Sequence, residues 1–377
     1  MPERPAPLVL VTTPPTGQPF GSHAAVAADG QRLLAVELSA RLGRLGAAVS
    51  PLPSLSPPDG APFHWGRWFV DGVRRALADA PGSVDAVGYA SGASMSLLAD
   101  DALDDLLSPI HGEVVANNRF SSDAFVVAGD LEAALAALEG CDNDNVASRR
   151  LNEAGFVWRD LGATPWARFD VDTTLDLALL RLSTRLSGMR RVEPGIAGYL
   201  EMARLPGDRP LEVPHLERIG EVMRDRAAEL VVAGRVPLTT WQELETDTAC
   251  RVRCFVEERG MRSARGSDQA PRSMLAALMA RASPAELIGE LARLGDAVVL
   301  DSRVLMASIA GSADADEWPP EEERFASDFG DHRRVGTAWL RELTEAAASA
   351  SVPFLLGGHA LVSDGLRLIM RAAWQGR

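Results

Sequence analysis

Asp170 and Asp172 stand two residues apart in the run Phe169-Asp170-Val171-Asp172, and this spacing is where the chain could do chemistry. With Arg168 to Asp172 extended, alternation sends both carboxylates to one face and Phe169 and Val171 to the other. Thr173-Thr174-Leu175-Asp176 follows at once and reads as a helix start, with Thr173 as N-cap and Asp176 reaching back toward its amide. Two carboxylates side by side, where a strand meets a capped helix, make the geometry of a site at the edge of a sheet.

A second polar group is Asn117-Asn118-Arg119-Phe120-Ser121-Ser122-Asp123, just ahead of the apolar run 124–128. Asn117, Asn118, Arg119, Ser122 and Asp123 suit a substrate-recognition loop; they equally suit a polar turn closed by its own Asx and Ser hydrogen bonds. A third group lies far along the chain, where one apolar run ends in Asp301-Ser302-Arg303 and another in Gly357-Gly358-His359. Ligands of open α/β sheets bind outside the carboxyl ends of the strands, and a Gly-rich turn into a helix offers amides to an anion. Asp301, Arg303, Gly357, Gly358 and His359 therefore form a candidate second site, unless the glycines serve only a tight strand-to-helix turn. Cys141-Asp142-Asn143-Asp144-Asn145 fails as a calcium loop, because Val146 and Ala147 occupy ligand and glycine positions. Asn145 or Asp144 is expected instead to cap a helix over 146–154.

The segment Phe169–Leu177 resembles the F-D-I-D-T-P-E-D-L stretch of nucleotidyltransferases similar to the molybdenum-cofactor and 2-phospho-lactate guanylyltransferases, which share the nucleotide-diphospho-sugar transferase (GT-A-like) fold. Thr174 replaces the proline of that pattern. The resemblance implies a Mg²⁺ ion bridging nucleotide phosphates, held by Asp170 and shared with Asp172, and acceptor contacts from Asn117, Asn118 and Arg119. The run Val84–Ala90 is similar to the central strand of that fold, and the Met95–Leu103 segment to the G-D-x-P-L-L stretch after it. On that alignment Ser94 stands where the family has a metal-binding Asp, with Asp100 and Asp101 nearby. The loop 12–21 departs furthest: it has three prolines and no basic residue, where the family places a Gly-rich triphosphate cradle. The implied activity moves a nucleotidyl group from an NTP to a phosphorylated small molecule and releases pyrophosphate. The alternative is a degenerate, non-catalytic nucleotide-binding or regulatory module, with function residing around Asp301, Arg303 and His359.

Composition bounds the partners. A formal charge of −14 argues against nucleic acid, whose phosphates want clustered basic residues, while a small anionic ligand needs only a local Arg cluster. All 38 basic residues are Arg, which removes Walker-lysine and Schiff-base chemistry and leaves any phosphate to the planar guanidinium fork. Three cysteines do not make a secreted disulfide framework. Residues Met1–Pro5 lack the features of a signal peptide, and no apolar run is long enough to span a bilayer. The expected location is cytoplasmic.

The elements that must position these groups follow from periodicity. The apolar run 8–11 reads as a buried parallel strand. Helices are expected over 31–45 and 65–77, the latter carrying Arg67 and Arg74 on one face. The expectation is an α/β, Rossmann-like three-layer domain over 1–187, then a linker at 188–214 where Gly and Pro cluster. A mainly helical domain with a small number of strands is expected over 215–377, with helices at 215–232, 240–258 and 273–294. Cys250 and Cys254 would then share a helix face as core residues.

Overall fold

The structure is a computed structural model and describes residues 6–14, 21–53, 63–80, 83–257, 261 and 270–375. The chain groups into two compact units, one of residues 1–17, 28–172 and 190–196, the other of 18–27, 173–189 and 197–377. Both are α/β. No helix of the described residues is long and apolar enough to cross a membrane.

In the first half of the chain the elements run β1 (Leu8–Thr13), α1 (His23–Arg44), β2 (Ala48–Pro53), α2 (Trp65–Asp79), β3 (Ala86–Ala90), α3 (Asp100–Leu106), β4 (Glu113–Ala116), β5 (Ala124–Ala128), α4 (Leu131–Glu139), α5 (Ala147–Glu153) and β6 (Val157–Asp160). The first unit is built on a six-stranded sheet in the order β2-β1-β3-β5-β4-β6. Only β5 runs against its neighbours, pairing antiparallel with β3 and β4. Its connection from β4 is the short loop 117–123, and a short link can join only antiparallel neighbours. The strands alternate between two cores. Leu8, Leu10, Phe125 and Val127 face a cluster with Trp65, Phe69 and Leu135; Val9, Val11, Ala124 and Val126 face one with Leu38, Leu42 and Leu103. A sheet buried on both faces needs such apolar runs, which is why these strands were legible as strands.

The second half continues with α6 (Thr174–Ser183), α7 (Pro194–Met202), the short pair β7 (Arg204–Leu205) and β8 (Arg209–Pro210), α8 (Leu216–Arg224), β9 (Glu229–Gly234), α9 (Leu238–Asp247), β10 (Arg251–Val256), α10 (Met274–Arg281), α11 (Pro284–Arg293), β11 (Ala297–Asp301), α12 (Arg303–Ala310), α13 (Glu321–Asp328), α14 (Ala338–Ser349), β12 (Phe354–Gly357) and α15 (Leu366–Gln375). The second unit holds a four-stranded sheet in the order β10-β9-β11-β12, parallel throughout. Its core gathers Val231, Val298, Leu300 and Leu356 with Leu287, Leu291 and Leu340.

Three expected helices are corrected. The span 215–232 divides into α8 and the central strand β9; 240–258 divides into α9 and the edge strand β10; 273–294 divides at Ser283-Pro284 into α10 and α11. A short apolar run such as Leu230-Val231-Val232-Ala233 fits helix and strand periodicity alike, and burial between neighbours makes it a strand. Cys250 precedes β10 and Cys254 lies within it, so they share no helix face. Ser283 caps α11 through the Glu286 amide, with Pro284 in the first turn, a start signal that splits the longer pattern.

The helix start at Thr173 is as expected. Thr173 Oγ1 accepts from the Asp176 amide at 3.2 Å, and Asp176 Oδ2 accepts from the Thr173 amide at 2.8 Å. This capping box opens a helix whose ten residues are all buried. Thr173→Ala is expected to cost about 1 kcal/mol, with Thr173→Ser restoring most of it, in a urea unfolding series.

Candidate functional site

The carboxyl edge of the six-stranded sheet collects the polar residues of the first unit. The ends of β3 and β4 and the start of β5 meet there, joined by the pairings Ala90↔Ala124 and Ala116↔Phe125. The loop 117–123 is therefore the β4–β5 hairpin connection, held at the edge by ladder bonds on both sides. Asn117 is buried and fully engaged. Its Nδ2 donates to Asp123 Oδ2 at 3.2 Å and to the Ala167 carbonyl at 3.1 Å, and its Oδ1 accepts from the Ala124 amide at 3.0 Å. Asn117 thus positions Asp123. Asn118 Oδ1 accepts from the Phe120 amide at 3.3 Å, and Ser122 Oγ reaches the Asn118 carbonyl at 3.1 Å and Ser148 Oγ at 2.5 Å. The Asx and Ser bonds of a closed turn are present, Asp123 included through Asn117; the side chain of Arg119 lies outside that closure.

The Asp123 carboxyl is pushed up to about 7 by burial and by Asp144, with Asp172 adding to the repulsion and the Asn117 hydrogen bond opposing it. Like charges that cannot all ionise raise the proton affinity of the most buried member. Tyr89 Oη donates to Asp144 Oδ2 at 3.1 Å, and burial followed by Asp144 holds the phenol well above its ordinary range. The expected helix cap is corrected here. The turn Asp144–Val146 precedes α5 without a side-chain cap bond, because Asp144 is bound to Tyr89 and Asn145 Oδ1 accepts from Ser121 Oγ.

Arg119 is exposed, with its guanidinium 4.2 Å from the Trp158 ring centroid and 5.7 Å from that of Phe120. Stacking fixes the plane of the cation. Among the described residues it forms no ion pair.

Asp170 is not part of a full strand. It makes a single antiparallel bridge with Ser94, flanked by the bonds Met95 amide to Phe169 carbonyl, 3.0 Å, and Val171 amide to Ala93 carbonyl, 3.3 Å. The alternation still holds: Phe169 and Val171 are buried, while Asp170 is half-buried and Asp172 exposed. Asp170 Oδ1 accepts from the Val171 amide at 2.9 Å. Ser94, where the resemblance calls for a carboxylate, turns its Oγ onto the Ser91 carbonyl at 2.8 Å. The same turn bonds to Asp123 through the Ser91 amide at 2.7 Å, so backbone links join Asp123 to the Asp170 bridge. Arg41 is nearly inaccessible and fixes the segment beyond, donating to Asp100 Oδ1 at 2.8 Å and to the Leu98 carbonyl at 2.5 Å. Asp100 is thereby committed to a structural pair. Arg67 and Arg74 are exposed on α2. Of the loop 12–21, residues 15–20 lie outside those described; Thr12 Oγ1 accepts from the Gly92 amide at 3.1 Å.

No group of three His, Cys, Asp or Glu side chains placed to hold a metal occurs among the described residues. Asp170 and Asp172 could offer hard oxygens of the kind Mg²⁺ takes when phosphates complete its shell, an arrangement for which one or two carboxylates suffice.

The second unit has its own polar edge. Arg235, just after β9, grips Asp301 through Nε to Oδ2 at 2.6 Å and Nη2 to Oδ1 at 3.0 Å. Arg303 grips Asp328 with both terminal nitrogens, Nη2 to Oδ2 at 2.7 Å. Burial pushes the Asp301 carboxyl up, but Arg235, His359 and Arg303 outweigh it and hold it below the usual range. Asp301 and Arg303 therefore spend their charge inside the fold. His359 is exposed. Gly357 serves close packing, since a Cβ there would stand 2.6 Å from Leu361 Cδ2 and 2.8 Å from Leu175 Cδ2, whereas Gly358 has only Arg303 Nε within reach, at 3.8 Å.

Sequence reasoning read Asp144 only as a helix cap and missed Tyr89, Trp158 and Arg235. The hint for Asp144 was an acidic run beyond what one cap needs; the others carry no local signal, since their partners come from other elements of the fold. No protein-family model matches the chain, and no curated protein matches it.

Proposed function

We propose that the first unit binds a nucleoside triphosphate with Mg²⁺ and transfers its nucleotidyl group to a phosphorylated small molecule. The observation that carries the reading is the loop 117–123, where the Asp123 carboxyl is repelled by Asp144 and Asp172 and Arg119 stacks on Trp158 with no carboxylate partner among the described residues. Excess negative charge awaits a cation, and the stacked guanidinium suits a phosphate. The fold supports it in kind, as an α/β sheet whose polar groups lie where strands end.

In this mechanism an acceptor phosphate oxygen forms a bond to the α-phosphorus while the bond to the bridging oxygen breaks and pyrophosphate leaves. Asp170 and Asp172 would hold a Mg²⁺ ion, which would supply neutralisation of the triphosphate charge. Arg119 orients the acceptor phosphate. Asp123, whose carboxyl is pushed up to about 7, can in its protonated form donate a hydrogen bond to that phosphate. Positioning and charge neutralisation are the catalytic contributions asked of the protein.

A second reading, nucleotide binding without turnover, is favoured by Ser94 in place of a carboxylate. Calorimetry with a nucleotide panel, with and without Mg²⁺, tests the binding. Asp170→Ala is expected to weaken Mg²⁺-dependent NTP affinity about tenfold, and Arg119→Met to slow acceptor-dependent pyrophosphate release. NTP affinity unchanged in Asp170→Ala sinks the metal assignment; NTP binding with no pyrophosphate release across phosphorylated acceptors supports the second reading.

A further inference from the structure

The edge of a sheet is a row of unpaired amides and carbonyls, and folded chains blunt it with prolines, short strands or a cover. The other outer strands of the two large sheets obey this: β2 carries Pro51 and Pro53, β6 is four residues long, and β12 is four residues long and buried. β10 is the exception. It runs six residues, Arg251–Val256, without a proline, and pairs parallel with β9 on one side. The Arg251 amide donates to the Ala228 carbonyl at 3.0 Å and the Glu257 amide to the Gly234 carbonyl at 3.1 Å. Amides alternate sides along a strand, so Arg251, Arg253, Phe255 and Glu257 serve β9, whereas Val252, Cys254 and Val256 present theirs to the outer edge. Among the described residues no strand takes them.

The residues along that edge are complementary to their own reverse. Directly opposed residues of an antiparallel pair share one face of the sheet, so a second β10 can face the first only in registers that keep odd-numbered residues against odd. Centring the pair on Cys254 sets Cys254 against Cys254 and Val252 against Val256, and every outward amide then finds a carbonyl. The same register sets Arg251 against Glu257 and Arg253 against Phe255, an ion pair and a cation–π contact. Centring on Arg253 instead opposes two guanidiniums, and centring on Phe255 runs Val252 past the end of its partner. Arg251 is exposed, 3.9 Å from Glu229. Glu257 accepts from Ser273 Oγ and the Met274 amide and keeps lone pairs for a further donor. Apolar surface flanks the edge, with Val256 53% exposed and Met274 69%.

We propose that a second copy of this chain occupies the edge: two β10 strands pair antiparallel about a twofold axis normal to the sheet, centred on Cys254, and join two four-stranded sheets into one. Such an interface presents the same patch from both copies, so each substitution acts twice. It is independent of the proposed nucleotide site. The test is sedimentation equilibrium on the full chain, which is expected to show a dimer that dissociates on dilution. Val256→Pro removes an outward amide that β9 does not use, a change an edge strand tolerates, and is expected to weaken the dimer about tenfold or more. Arg251→Glu places like charges opposite Glu257 and is expected to weaken it comparably, Arg251→Lys far less. Opposed α-carbons of a hydrogen-bonded pair stand about 5.5 Å apart, within the reach of a disulfide, and Cys141 and Cys250 are buried. The oxidant diamide is therefore expected to join the dimer covalently in the parent and not in Cys254→Ser. A single-chain mass up to ~100 μM, a dimer unmoved by both Val256→Pro and Arg251→Glu, or a dimer whose Cys254 thiols do not join overturns the proposal.

Discussion

Replacing Asp328 with Ala is expected to lower the stability of the second unit by about 3–5 kcal/mol at neutral pH, read from urea unfolding. Asp328 is 2% exposed and Arg303 5%, and the two meet through paired terminal nitrogens and oxygens. Removing the carboxylate strands a guanidinium that cannot shed its proton and has lost its water. Its remaining side-chain partner, Ser302 Oγ at 3.1 Å, is neutral. The reverse change behaves differently. Arg303→Met leaves a carboxyl that burial already pushes up and that Arg303, then His23 and Arg324, pull back. The Asp328 carboxyl already lies above its ordinary value; without Arg303 it rises further, so this variant gains relative stability as pH falls and loses it as pH rises. The double change Arg303→Met, Asp328→Leu keeps neither charge and is expected to recover most of the loss. Strictly additive single and double changes would show that the pair is not the source of the effect.

The parts of this molecule that were legible in the sequence are those whose cause is local. The Thr173–Asp176 capping box is set by side chains within one turn, and the alternation through Phe169 and Val171 by their own burial. In the first sheet, β1, β3 and β5 were legible because they are continuous buried apolar runs, whereas β4 and the edge strand β6, with its sequence VWRD, were not. β9 was not, because Glu229–Gly234 follows a real helix with apolar residues that keep helical spacing; only the pairing with β10 and β11 makes it a strand. The site followed the same division. The polar character of 117–123 is visible in sequence, but the engagement of Asn117 with Asp123 and of Asp144 with Tyr89 depends on contacts across strands. Asp301 and Arg303 were found as polar residues at a strand end, yet their partners Arg235 and Asp328 lie 66 and 25 residues away, and those partners decide what the charges do.

The sharpest electrostatic prediction concerns Asp123. A carboxyl raised from 3.8 to about 7 in the folded chain takes up a proton more readily folded than unfolded. Its contribution to stability is therefore fully present below about pH 4 and is lost as pH rises through about 7. Asp123→Asn should remove this dependence while keeping a side-chain oxygen for the Asn117 amide. The Asn variant is expected to match the parent near about pH 4 and to exceed it by ~2–4 kcal/mol near about pH 8, in unfolding curves of the first unit. Asp144→Asn, which removes the largest charge acting on Asp123, should recover part of that gain. Superimposable pH profiles for the parent and Asp123→Asn would refute the assignment. A structural turn has no reason to keep a carboxyl that costs stability at neutral pH, whereas a binding site does, since function is the usual counterweight to such a loss. The Asn variant should accordingly be the more stable protein and, if Asp123 serves the acceptor, the weaker binder of a phosphorylated one.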